Sequence, residues 1–164
     1  MVTLRPIQLQ DREAMLDILT DDTVKQTYML PDFADRRDAL PLFRRLAELS
    51  RDESRYVRGI CLEERLIGFL NDVEIQYGSI ELGYVIHPDF QGKGYMTEAL
   101  RSAVDALFSI GYREIICGAL EENAASIRVM VKAGMQKLDK SDEVEYRGIT
   151  HRCVYYHCYK EDRP

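Results

Sequence analysis

Residues 87–100 read HPDFQGKGYMTEAL. Two glycines, Gly92 and Gly94, flank Lys93, and a helical pattern begins at once. Met96, Ala99, Leu100, Ala103, Val104, Leu107 and Phe108 recur at the spacing of one buried helix face, with Thr97, Glu98, Arg101, Ser102 and Asp105 on the other. The stretch is not a Walker A loop, because His87 stands where the first glycine belongs and Gly94 where Ser or Thr should follow the lysine. It is not a dinucleotide fingerprint either, since Thr97 takes the place of the third glycine. The physical requirement behind both motifs is broader. A helix start leaves N–H groups unpaired, and glycines before it let an anion approach the backbone closely. The amides of Gly92, Lys93, Gly94, Tyr95, Met96 and Thr97 can meet that requirement; the competing reading is a plain strand-to-helix loop.

Working outward, VTLRPI alternates as a first strand, and DREAMLDILTDD follows as a short helix with Ala14, Met15, Ile18 and Leu19 on one side. ADRRDALPLFRRLAELSRDES reads as a second helix that Pro41 either opens or kinks. RYVRGICLE, RLIGFLNDVEIQ and IELGYVIH form an antiparallel meander with turns at Glu63–Arg65 and Tyr77–Ser79. After the long helix, REIICGAL is a nearly continuous apolar strand, so a strand–helix–strand unit brings in a parallel neighbour. ENAASIRVMVKAGM gives a last helix with Ile127, Met130 and Val131 inward, and two final strands turn at Arg147–Gly148. The expected fold is mixed α+β: a central, mostly antiparallel twisted sheet of about seven strands flanked by about four helices.

The 164 residues fit a single domain, 1–164. A net charge of −6 argues against a general nucleic-acid binder, which carries a basic patch. No apolar run approaches the ~18 residues of a membrane span. MVTLRPIQLQDREAM carries charges where a leader peptide would be apolar. The expectation is a soluble, cytoplasmic protein, a monomer or homodimer, with Cys61 and Cys117 as reduced, buried residues.

VIHPDFQGKGYMTEAL together with ENAASIRVMVKAGM resembles the GNAT N-acetyltransferase superfamily, most of all its RimJ/RimL-like branch, over about Leu66 to Tyr159. The family's glycine loop has the form Gln/Arg-x-x-Gly-x-Gly/Ala; Gln91 and Gly94 match, and Met96 departs. The resemblance implies a GNAT-like fold and acetyl-CoA as co-substrate, its pyrophosphate on the loop amides from Gln91 to Thr97. It implies that the strand before the loop, Val85, Ile86 and His87, is splayed and faces the pantetheine arm. Asn123 and Ser126 match the branch motif Asn-x-x-Ser near the thioester end. Met130 stands where some branches carry a tyrosine acid, and Gly118 where some carry a glutamate base.

Acetyl transfer to an amine needs that amine neutral, the oxyanion stabilised and the thiolate protonated. Glu81, an acid within the apolar IELGY, is the base candidate, although alternation also places it on a solvated strand face. Ser126 is the candidate near the leaving sulfur, with a competing role in the first turn of a helix that Asn123 caps. His151, Cys153, Tyr155, His157 and Tyr159 alternate onto one face of the last strand; that spacing suits a pleat better than tetrahedral metal ligation, so no metal is expected. The leading expectation is an acetyl-CoA-dependent N-acetyltransferase acting on a protein N-terminal amine or a small-molecule amine. The alternative is a non-catalytic acyl-CoA-binding module that regulates a partner. Acceptor choice is expected to lie in residues 23–53 and the hairpin 141–150.

Overall fold

The computed structural model describes residues 1–163. Seven strands, β1 (Val2–Arg5), β2 (Val57–Leu62), β3 (Arg65–Gln76), β4 (Ser79–Ile86), β5 (Glu114–Leu120), β6 (Gln136–Tyr146) and β7 (Ile149–Tyr159), hydrogen-bond in the order β1-β2-β3-β4-β5-β7-β6. Four α-helices accompany them: α1 (Arg12–Leu19), α2 (Leu40–Leu49), α3 (Tyr95–Ser109) and α4 (Ala124–Lys132). The β4–β5 pair is parallel, while β1–β2, β2–β3, β5–β7 and β6–β7 are antiparallel. This is the expected mixed α+β architecture. No described helix is long and apolar enough to cross a membrane.

Internal contacts divide the chain into two compact units, the first made of Met1–Asp72 with Tyr84–Ala99, the second of Val73–Gly83 with the residues from Leu100 onward. In the first unit, α1 and α2 bury Met15, Ile18, Leu19, Phe43 and Leu46 in one core with Phe69 and Val85. A Val, Leu, Ile or Phe side chain fully buried in this way contributes about 1.5–3 kcal/mol relative to exposure. Pro41 opens α2 rather than kinking it, because it sits in the first turn, where no intrahelical N–H bond is lost. Segment 23–34 carries only a short 3-10 turn, Val24–Gln26. At the other margin of this unit, Asp72 is buried and accepts two bonds from the Arg55 guanidinium, at 2.6 and 3.0 Å.

In the second unit, α3 buries Leu100, Ala103, Val104, Leu107 and Phe108, the face its spacing predicts. α4 corrects one expectation. Met130 is fully buried, but Val131 is 54 % exposed, because the helix is short and turns only one narrow stripe inward. The β4–β5 ladder runs from Ser79 opposite Glu114 to Leu82 opposite Cys117, and Gly118 to Leu120 continue against β7.

Candidate functional site

The first unit carries the glycine loop. At the end of β4, His87 donates its backbone N–H to the Ile67 carbonyl at 2.8 Å. Val85 faces the same edge: a Cβ built on Gly68 would stand 2.3 Å from the Val85 carbonyl oxygen. Ile86, between them, therefore turns its backbone groups to the opposite edge of the strand. There the Gln91 side-chain amide donates to the Ile86 carbonyl at 3.2 Å. The expectation that Val85, Ile86 and His87 all offer backbone to a ligand is thus narrowed. The His87 N–H is already engaged, and the Ile86 N–H is the one directed away from β3.

Beyond Gln91 the backbone takes positive φ at Gly92 (74°) and Gly94 (83°), and a Cβ at either position would meet nothing within 4 Å. The glycines are thus required by conformation, and the space above them is open. The Gly94 carbonyl accepts the Glu98 N–H at 3.1 Å, which starts α3. The amides of Tyr95, Met96 and Thr97 come before that bond, in the first turn of α3, where a helix has no carbonyl of its own to offer them. Lys93 holds its ammonium 5.6 Å from the Phe90 ring centroid, and Arg65 approaches the same ring at 5.0 Å. Met96 is 5 % exposed, so its side chain packs inward and leaves the loop clear.

The second unit carries the titratable candidates. Asn123 caps α4, its side-chain oxygen accepting the Ser126 N–H at 3.2 Å. Glu81 is half-buried on β4, opposite Ile116, and its neighbours Ile80 and Leu82 are buried on the reverse face. Burial raises the Glu81 carboxyl above its usual range; Lys140 opposes that shift, and Glu74 and Asp142 reinforce it. Two positions beyond Ile116 on β5 lies Gly118, paired with Tyr155. A Cβ on Gly118 would come 2.9 Å from the Tyr155 ring, so the tyrosine fills the space a side chain there would use. Tyr155 donates its hydroxyl to Asp142 at 2.9 Å. Burial, then the Asp142 bond, push its phenol far above the ordinary range, so it stays protonated. Burial also raises the Cys153 and Cys117 thiols, so neither is a thiolate nucleophile.

The family model of the acetyltransferase (GNAT) domain matches residues 1–136. The chain belongs to the GNAT acetyltransferase family. The match takes in the first two helices, ahead of Leu66 where the motif resemblance begins, and ends at Gln136, the first residue of β6. The chain is 29% identical over 146 residues to the probable N-acetyltransferase YjcK of Bacillus subtilis (strain 168), covering 83% of this chain and 81% of that protein. A RimL ribosomal L7/L12 alpha-N-protein acetyltransferase in complex with coenzyme A superposes with a TM-score of 0.85 at 18% identity, over 96% of this chain and 93% of that one. A spermidine N-acetyltransferase from Vibrio cholerae, in complex with CoA and spermine, gives 0.81 at 18% identity over 98% and 96%. At these identities the two structures share the fold.

One feature of this GNAT acetyltransferase escapes sequence reading. Gly118 does not merely lack a carboxylate: Tyr155 occupies its place, and the only signal was the alternation that puts Tyr155 on that face. Of the two residues that flank the tyrosine, Asp142 lies within the hairpin 141–150 expected to govern acceptor choice, and Lys140 lies just outside it. The histidines of β7 are parted by their own partners, His151 by Glu122 and His157 by Glu114. Among the described residues no group of three or more His, Cys, Asp or Glu can hold a metal.

Proposed function

We propose that this acetyltransferase moves an acetyl group from acetyl-CoA directly to a primary amine, either a protein N-terminal amine or a small-molecule amine, as one domain, 1–164, in the cytoplasm. The observation that carries the reading is the run of first-turn amides of α3, Tyr95 to Thr97, opened by two positive-φ glycines with clear space above them. Such a run, with the positive end of α3 behind it, suits the pyrophosphate of acetyl-CoA. Gln91 sets the loop by holding the Ile86 carbonyl. The Ile86 N–H is then placed to donate to the thioester oxygen as it gains charge. The four unpaired cysteines fit a reducing compartment.

In the reaction the amine lone pair attacks the thioester carbonyl, the C–S bond breaks, and the sulfur leaves as a thiol once protonated. An α-amine of pKa near ~8, or a lysine-like amine near ~10.4, must first lose a proton. Glu81 takes that role: burial lifts its carboxyl towards the range where a carboxylate is an effective base. Ser126, at the start of α4, serves the leaving sulfur. The RimL structure supports a RimJ/RimL-like acceptor, the N-terminus of a protein, and the spermidine acetyltransferase supports a small amine; the acidic chain suits cations of both kinds.

Calorimetric titration with acetyl-CoA, followed by thiol release over an amine panel, tests this reading. Saturable binding with thiol release on some amine is expected. Binding without release on any amine favours the non-catalytic acyl-CoA module, and absence of binding removes both.

A further inference from the structure

The pairing of β6 with β7 is broken at one place. Lys137 lies opposite Tyr156 and Ser141 opposite Val154, so Leu138, Asp139 and Lys140 all stand against the single residue Tyr155. A bulge of this kind re-aims side chains and recurs beside functional sites. Here it turns Lys140 onto the face that carries Tyr155 and Asp142. The Lys140 ammonium lies 4.4 Å from the Tyr155 ring centroid and 4.0 Å from an Asp142 oxygen. The ring lies across Gly118, whose strand neighbour Ile116 pairs with Glu81, so the Glu81 carboxylate borders the same patch. An aromatic face with carboxylates at its rim is what a primary alkylammonium requires. The occupant is held loosely, since the Lys140 side chain is 47% and that of Asp142 50% exposed.

We propose that Tyr155, Asp142 and Glu81 form the recognition site for the acceptor's alkylammonium group, and that Lys140 fills it as an internal stand-in which the acceptor displaces. The acceptor's identity rests on the acetyl-transfer reading; the ammonium site stands on the second unit alone. Lys140 is then a specificity-determining residue, because the fraction of molecules with the lysine out sets the apparent affinity for any cation.

The probe is n-butylammonium, which reproduces the lysine side chain, followed by NMR of the full chain with labelled lysine. Its saturation should move the Lys140 ε-methylene signal out of its ring-shielded position. Lys140→Ala should bind the probe about three- to tenfold more tightly. Tyr155→Leu should abolish binding. Asp142→Asn, which keeps an acceptor for the Tyr155 hydroxyl at a half-exposed position, should weaken it by about threefold or more. A Lys140 signal that stays put while the probe saturates, or equal affinity in wild type and Lys140→Ala, overturns the proposal. A wild type that takes up n-butylammonium in this way but binds no acetyl-CoA removes the transfer reading and leaves the ammonium site standing.

Discussion

A side chain on Gly68 would put its Cβ 2.3 Å from the carbonyl oxygen of Val85, closer than any real contact of that kind. The missing side chain lets β3 press against the end of β4 just before the glycine loop. Gly68→Ala must therefore push Val85 to His87 aside. The expected cost is about 1–3 kcal/mol of stability, read as a lower Tm, together with weaker acetyl-CoA binding. Gly59→Ala is the control. Its nearest contact is the movable Leu66 Cδ1 at 3.0 Å, so it should cost less and leave binding alone. Equal losses in the two variants would show that Gly68 has no special relation to the loop.

What could be read from the sequence was what local periodicity dictates. The buried face of α3 followed from apolar spacing, and the shared face of His151, Cys153, Tyr155, His157 and Tyr159 followed from alternation. Features set by the register between paired strands stayed hidden. The bulge at Leu138–Lys140 exists because β7 takes a register that leaves one residue opposite three. Nothing within the run of residues 135–146 announces it. Met96 looked like a defect of the loop, yet its side chain is buried, a matter of what lies behind the helix and not of the motif. Val131 fits the spacing of an inward face and is exposed, because apolar spacing fixes a stripe but not its width.

The glycine loop and the lysine within it make opposite predictions. If amides hold the pyrophosphate, Gly94→Asp sets a carboxylate among them and forces a φ of 83° on a residue with a Cβ. Acetyl-CoA affinity should fall by about 100-fold or more. Lys93→Ala should cost about threefold or less, because its ammonium is engaged with the Phe90 ring and contributes one exposed charge. Calorimetry on both variants decides the matter. A larger loss for Lys93→Ala than for Gly94→Asp would make the lysine, not the backbone, the anion holder.

Asp72 and Arg55 form a pair with one member buried. The Asp72 side chain is 2% exposed and that of Arg55 36%. Asp72 also accepts the Tyr56 N–H at 3.3 Å, so its loss strands a buried donor as well as a cation. Asp72→Ala should lower stability by about 2–3 kcal/mol in urea unfolding. Arg55→Ala also leaves an unpaired charge, but beside water, where solvent can reach the carboxylate from the vacated side. It should cost less, and a reversed order would show that Asp72 owes nothing to its burial.

Glu81 should couple rate and stability to pH with opposite signs. Burial raises its carboxyl in the folded protein, so between the unfolded and folded midpoints the native state holds the extra proton. Stability therefore falls as pH rises through that window and is flat above it, once both states are ionised. Glu81→Gln lacks this fall and should gain stability relative to wild type above the ordinary glutamate range. As a base, however, Glu81 works only when ionised, so kcat/KM should rise through the same window. Glu81→Gln should lose about 100-fold or more and lose that limb of the profile. The neighbours then move the limb in predictable directions. Lys140 holds the carboxyl down, so Lys140→Ala shifts the limb to higher pH. Asp142 holds it up, so Asp142→Asn shifts it lower. A pH–rate profile for all three variants reads both the sign and the source, and an acid limb that survives in Glu81→Gln would assign the titration to another group.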